Sequence, residues 1–176
     1  TNHQHNDSGT FQIYYNGYLT GDSSIYALYG TVNDFAWSKE TIGHNGLLIY
    51  DPNEVSNQTP VVTGGMTRRS PNVMKLESLL TDTYTRAKVI GQEFGPDPID
   101  PEYTYISGDL TPGYTENKVS EVRRSMMFMP TENKEAPAVF FVMDKIVSKN
   151  KSFKKSFLLH TMTEPAVEGN VTTDRK

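Results

Sequence analysis

The sequence contains no cysteine, which excludes disulfides, thiolate metal ligands and thiol nucleophiles. No apolar run approaches the roughly 20 residues that a membrane-spanning helix needs, so no membrane span is expected. The net charge is −4, which argues against a general nucleic-acid binder because such proteins have basic surfaces. Any chemistry must therefore come from His, Asp, Glu, Tyr, Ser and Lys side chains, and no nucleic-acid partner is expected.

Amphipathic helical patterns are also scarce, and only residues 72–80 carry apolar residues at helical spacing. Strand patterns are frequent instead, separated by turns rich in Pro, Gly, Asp and Asn. The predicted strands are residues 10–15, 18–20, 46–50, 61–63, 85–93, 103–108, 120–129, 138–147 and 155–163. Strands that follow one another without helices form antiparallel sheets, so the sequence predicts an all-β fold, an antiparallel β-sandwich of two packed sheets, as one domain over residues 1–176.

Three of the four histidines lie in the first quarter of the chain, close to acidic residues. His3 and His5 are two positions apart, so in a strand both rings would point to the same face. With no cysteine available, a zinc ion needs nitrogen and oxygen ligands, and His5, Asp22 and His44 offer two nitrogens and a carboxylate. Asp7 is the nearer acid in sequence and is an alternative ligand, or an acceptor that orients a histidine ring.

Other interpretations of these histidines remain open. His3 and His5 could be solvent-exposed residues near the terminus, with His44 hydrogen-bonded to backbone. A His-x-His element also occurs in metal-dependent jelly-roll enzymes, although the glutamate expected a few residues later is absent here. The first part of the chain also contains many tyrosines, about half of which should pack in a sandwich core because neighbouring strand residues face opposite sides.

Together, several motifs resemble the heparinase II/III-like polysaccharide lyases over essentially the whole chain. They are Asn2-His3-Gln4-His5-Asn6-Asp7-Ser8-Gly9-Thr10-Phe11, Gly21-Asp22-Ser23, His44-Asn45, Asp144 and Phe157-Leu158-Leu159-His160. The resemblance implies the β-sandwich portion of an enzyme whose (α/α) toroid precedes it, so we expect the chain to be a fragment of a larger lyase with that toroid as a partner. It also implies cleavage of acidic, uronate-containing polysaccharides by β-elimination and a periplasmic or secreted location in bacteria.

The same resemblance implies roles for particular residues. His3 corresponds to a catalytic acid/base, and His5, Asp22 and His44 correspond to the ligands of a zinc ion, expected to be structural. The remaining catalytic groups are expected on the toroid, so the fragment alone should be almost inactive. A non-catalytic carbohydrate-binding sandwich with a structural metal is the alternative function.

Two further predictions concern single residues. Asp144 lies inside an apolar strand, where a buried acid needs a donor partner, so a structural role is expected. His160 ends an apolar strand and is expected to be buried and hydrogen-bonded. Arg68 and Arg69 follow a Gly-Gly pair and form a second, weaker candidate for binding a substrate anion.

Overall fold

A computed structural model describes residues 4–25, 28–55, 62–67, 77, 80 and 84–174. The strands are β1 (Ile13–Tyr14), β2 (Tyr18–Thr20), β3 (Leu47–Tyr50), β4 (Lys88–Gly95), β5 (Tyr103–Asp109), β6 (Val119–Pro130), β7 (Ala138–Ser148), β8 (Lys154–Phe157), β9 (Ala166–Glu168) and β10 (Val171–Thr173). Every strand pairing is antiparallel. The predicted all-β class with antiparallel sheets is therefore confirmed.

Helical structure in the described residues is limited to short turns. A π-helical segment covers Asp34–Ser38, and 3₁₀ turns cover Thr41–Gly43 and Thr111–Gly113. None of the helices in these ranges is long and apolar enough to cross a membrane.

The chain divides into two compact units. The first, unit 1, contains residues 1–71 and 152–176, and the second, unit 2, contains residues 72–151. The prediction of one domain over residues 1–176 treats both units as parts of the same sandwich and stays a prediction.

Unit 1 is assembled from short two-stranded sheets, β1 with β2, β3 with β8 and β9 with β10. The β1–β2 turn contains Asn16 and Gly17, both with positive φ, as expected for a tight hairpin turn formed by this dipeptide. Leu47 and Ile49 of β3 are buried, together with Met66 and Phe153. This small core supports the segments that carry His5, His44 and His160.

Unit 2 is a regular four-stranded meander in the order β4-β5-β6-β7. Along β7 the residues alternate between half-buried and exposed, as expected when one face of a sheet is covered. Val122 and Arg124 of β6 lie on the covered face. The proline-rich residues 96–101 lie in the connection between β4 and β5, since prolines lack the amide donors that a strand needs.

Several predicted boundaries differ from the structure. The first and last predicted strands are shorter in the structure, where they correspond to β1 and β8, and of the residues after β8 Thr161 still forms an isolated bridge with Thr20. Residues 62 and 63 are not in a strand, and residue 61 lies outside the described residues. Residues 72–80, where the helical spacing indicates a short helix or a loop, also lie outside them, apart from positions 77 and 80. The β9–β10 hairpin was not predicted, because its short strands carry no clear alternation.

Candidate metal centre

The segment that carries His5 and Asp7 is anchored by the residue between them. Asn6 is buried, and its side-chain amide donates a hydrogen bond to Glu40 Oε2 at 3.0 Å. Its backbone carbonyl accepts a hydrogen bond from Thr41 Oγ1 at 2.7 Å. Because Asn6 is held on both sides, the two potential ligands beside it are fixed relative to the 3₁₀ turn that precedes His44.

His44 is almost fully buried and follows the 3₁₀ turn Thr41–Gly43. Its Nδ1 atom lies 2.8 Å from Asp22 Oδ1, a carboxylate that is still partly exposed. When neutral His44 donates its Nδ1–H to this carboxylate, the Nε2 atom keeps its lone pair. A carboxylate on one nitrogen of a ligand histidine is the usual way to fix the tautomer for a metal on the other.

The other ring nitrogen of His44, Nε2, faces His5. Nδ1 of His5 and Nε2 of His44 are 3.4 Å apart, and the two rings are tilted by 50°. Two nitrogens bound to one tetrahedral zinc ion at about 2.0–2.1 Å would be separated by about 3.3–3.4 Å. The observed separation therefore suits a pair of ligands to one ion better than a direct hydrogen bond.

Asp7 completes a group of three. In the described part of the chain, ligand atoms of His5, Asp7 and His44 all lie within 4.8 Å of one another. The three residues combine an exposed carboxylate, a half-buried imidazole and a buried imidazole. This group could hold a metal ion.

The electrostatics keep His5 in the form that binds metals. Burial lowers the pKa of His5 below its usual value, and the nearby His44 lowers it further, while Asp7 and Asp22 oppose the shift. A lowered pKa favours the neutral imidazole, which is the metal-binding form.

A third histidine, His160, is joined to the centre through Asn45. The fully buried Asn45 donates from Nδ2 to the carbonyl of Phe11 at 2.9 Å. Its Oδ1 accepts the backbone N–H of His160 at 2.6 Å and lies 3.2 Å from Nδ1 of the same residue. Burial, followed by the nearby His44, lowers the pKa of His160. His160 is hydrogen-bonded, as expected from the sequence, but it is half-buried rather than buried.

The end of strand β2, which leads to Asp22, contacts the segment that contains His160. Thr20, the last residue of β2, forms an isolated antiparallel bridge with Thr161. The next residue, Gly21, donates its N–H to the carbonyl of His160 at 3.2 Å. These contacts bring Asp22 to His44 although the two residues are far apart in the sequence.

The structure thus joins the predicted ligands in a particular arrangement. His5 contacts His44, and His44 contacts Asp22, but Asp22 lies at the opposite ring nitrogen from His5. Asp7, the alternative carboxylate, belongs to the three-residue group. His3, the predicted catalytic acid/base, lies outside the described residues, so its role stays a prediction.

Asn6 and Asn45 contribute to the centre but were not singled out as functional residues. Neither residue type nor spacing identifies a buried asparagine that links distant segments, because its hydrogen-bond partners are backbone groups and side chains brought close by folding.

Two other predictions concern the arginine pair Arg68 and Arg69 and the tyrosines near the start of the chain. Arg68 and Arg69 lie outside the described residues. The prediction that about half of the tyrosines near the start of the chain lie in the core is wrong for the four of them up to residue 29 that the structure describes, since all are exposed: Tyr14, Tyr15, Tyr18 and Tyr29. Tyr14 and Tyr18 lie on β1 and β2, which form a two-stranded sheet of their own.

The predicted structural role of Asp144 is confirmed. Its two carboxylate oxygens accept hydrogen bonds from Nε and Nη2 of Arg124 at 2.7 and 2.9 Å. This forked pair joins β6 to β7 on the covered face of the unit 2 sheet.

No protein-family model matches the sequence, and no curated protein matches it. The similarity to heparinase II/III-like lyases therefore depends on the motif residues themselves. Lyase activity, the identity of the metal and a periplasmic or secreted location are accordingly proposals.

Proposed function

We propose that this chain is the β-sandwich portion of a bacterial polysaccharide lyase, periplasmic or secreted, that cleaves uronate-containing, acidic polysaccharides by β-elimination. In this role it contributes a catalytic histidine, His3, and a zinc site. The observation that carries the proposal is the 3.4 Å separation of the His5 and His44 ring nitrogens beside the His-x-His motif. The rest of the active site would come from the preceding α/α toroid.

The ligand set fits zinc chemically. His5 and His44 supply nitrogen, Asp7 supplies oxygen, and the chain has no cysteine to offer sulfur. In this proposal Asp7 would be the carboxylate ligand, and Asp22 would orient His44 from its other nitrogen. If the ion instead sits at Nδ1 of His44, then Asp22 becomes a ligand and His5, at the opposite ring nitrogen, does not, whereas the family resemblance implies all three residues as ligands.

A zinc ion here would be structural. Bound by residues of two separate segments, it would fasten the segment of His5 and Asp7 to the segment of His44. Its contribution to catalysis would be to hold His3 in place, because His3 is only two residues from His5.

The proposed reaction has defined requirements. The base removes the proton from C5 of the uronate, the electrons form a C4–C5 double bond, and the glycosidic oxygen on C4 leaves with a proton from an acid. A histidine can serve as base or acid because its pKa lies near neutrality, and such a group typically contributes about 10²–10⁴ in rate. His3 would carry one of these two protons.

Elemental analysis tests the metal site directly. We expect near-stoichiometric zinc in the purified chain and its loss in His5→Ala and in His44→Ala, while His160→Asn, which alters a neighbouring histidine, retains it. Asp7→Asn should weaken zinc binding more than Asp22→Asn. The opposite order would make Asp22 the ligand, and a wild-type chain without any bound metal would contradict the site.

Activity requires the protein with its toroid. We expect that protein to release unsaturated uronate, detected by its ultraviolet absorbance, and His3→Ala to abolish the release while leaving zinc content unchanged. Full activity of the His3→Ala variant would contradict the assignment of the catalytic group.

A non-catalytic carbohydrate-binding sandwich is the second candidate. The exposed tyrosines of the β1–β2 hairpin favour it, since Tyr14 and Tyr18 meet edge to face at 5.4 Å with their outer surfaces open. Such a protein would bind the polysaccharide without releasing unsaturated product, even when the toroid is present.

A further inference from the structure

Unit 2 carries a groove of about 390 Å³ on one face of its sheet. This size lies within the range of small-ligand sites. The groove faces away from the side on which Val122 and Arg124 are buried, because its lining residues occupy the alternate positions of the strands.

The floor of the groove is polar. Ser107 of β5 and Ser125 of β6 are directly opposite each other, and their hydroxyl oxygens are 2.9 Å apart. Both hydroxyls can rotate to donate or accept hydrogen bonds. A ligand lying on this floor would therefore find adaptable partners for its own hydroxyl groups.

One side of the groove is aromatic. The Tyr105 ring borders Gly91 of β4, where a Cβ atom would lie 3.5 Å from the ring, so no β4 side chain covers it at that position. The Tyr105 hydroxyl is 3.4 Å from Ser125 Oγ. Ser125, and after it Ser107, donate hydrogen bonds that lower the pKa of Tyr105. An aromatic face beside a line of hydroxyls is complementary to a sugar ring, which has an apolar C–H face and a polar edge.

The other side of the groove is cationic. Arg123 of β6 and Lys145 of β7 are directly opposite each other and both line the groove. They share one carboxylate, since Arg123 Nε and Lys145 Nζ each lie 2.8 Å from an oxygen of Glu121. Because two cations share one carboxylate, these three side chains have a net charge of +1, which favours an anionic ligand.

The wider row of charges does not reverse this excess. On the side of β6 away from Lys145, Arg123 is paired in register with Asp109, and Asp109 is paired with Lys88. Counting these two with the three groups above gives three cations and two carboxylates, and neither carboxylate lines the groove. An anionic group therefore has favourable charge complementarity here.

We propose that this groove binds an acidic saccharide, with one sugar ring against Tyr105, its hydroxyls at Ser107 and Ser125, and its carboxylate at Arg123 and Lys145. The site would retain the polymer through residues that do not belong to the histidine centre and would have no part in the elimination. The choice of a uronate as the sugar rests on the proposed function, whereas the groove itself uses no residue of the metal centre.

The test is a titration of the isotope-labelled chain, followed through its backbone amides, with a glucuronate-containing hyaluronan tetrasaccharide. We expect the amides of Gly91, Ser107 and Ser125 to shift. The same tetrasaccharide with its carboxylates reduced to alcohols should bind at least about tenfold more weakly, because it loses charge-assisted hydrogen bonds.

Variants locate the binding. Tyr105→Ala and the double variant Arg123→Gln, Lys145→Gln should each raise the dissociation constant by about tenfold or more. The two cationic side chains are more than half exposed, so their replacement should leave the fold intact even if Tyr105→Ala does not fold. Lys134→Gln, which changes an exposed cation in the β6–β7 loop, is the matched control and should bind normally.

Three results would overturn the proposal: no shift at the groove amides, equal binding of the carboxyl-reduced sugar, or normal binding by the double variant. His5→Ala separates this proposal from the proposed function. That variant should lose zinc but bind the tetrasaccharide in the groove normally, so failure of the lyase assignment and failure of the groove give different results.

Discussion

The two units place polar groups in contrasting ways. In unit 2, long strands in regular register determine which residues meet, and the groove consists of cross-strand neighbours at alternating positions. In unit 1, the strands are short, and hydrogen bonds from Asn6 and Asn45 bring distant segments together. A regular sheet thus presents a broad surface, whereas linked loops can surround a metal ion.

The largest expected effect on stability comes from a substitution in the unit 2 sheet. Arg124→Ala should destabilise the protein by about 3–5 kcal/mol, because it leaves Asp144 without its main partner in a mostly buried position. Urea denaturation followed by circular dichroism measures the loss. Arg123→Ala, one residue along and more than half exposed, is the control and should change the free energy of unfolding by less than about 0.5 kcal/mol. Similar losses in both variants would contradict the distinction between the two faces.

The next effect concerns the linking residues of unit 1. Asn45→Ala should cost about 1–3 kcal/mol, since the carbonyl of Phe11 and the N–H of His160 lose their partner. Fluorescence of Trp37, the single tryptophan, reports unfolding of this unit. The exposed Asn53→Ala is the matched control. Amide exchange in β5 and β6 should not change, and faster exchange there would contradict the assignment of this effect to unit 1.

A pair of glycines gives a smaller contrast. Gly64 of unit 1 has φ +83°, and a Cβ there would lie 2.9 Å from Tyr50 Cα. Gly64→Ala should therefore lower the free energy of unfolding by at least about 1–2 kcal/mol, because main-chain atoms cannot move to make room for the Cβ atom. Urea denaturation measures this loss. At Gly91 of unit 2 a Cβ would meet the Tyr105 ring at an ordinary 3.5 Å, so Gly91→Ala should change stability by less than about 0.5 kcal/mol. An equal cost at both positions would contradict the contrast.

The smallest effect is a dependence on pH. Because the pKa values of His5 and His160 are lowered in the folded state, the metal-free unfolded chain binds more protons just below pH ~6.5. Stability should therefore fall as the pH falls below that value. Thermal unfolding in the presence of a chelator measures this dependence, and the double variant His5→Asn, His160→Asn should show a flatter profile. An unchanged profile would mean that neither histidine has a lowered pKa.

Much of the fold follows from local patterns. The alternation along residues 138–147 predicts β7, and the Asn16-Gly17 dipeptide predicts the β1–β2 turn, because both signals depend on neighbours in sequence. The apolar context of Asp144 also predicts a buried donor partner, although not that the partner is Arg124. The β9–β10 hairpin was missed because three-residue strands show too little alternation.

The sequence by itself determined the class of structure and the chemistry available: strands from alternation, nitrogen and oxygen ligands from the absence of cysteine, and histidines grouped near one end. Only the tertiary structure decided which of these groups meet. It placed Asp7 in the group with His5 and His44, set Asp22 at the other nitrogen of His44, and aligned Tyr105 with two serines and two cations. These contacts depend on strand register and on hydrogen bonds between distant segments. Neither can be predicted from a local pattern in the sequence.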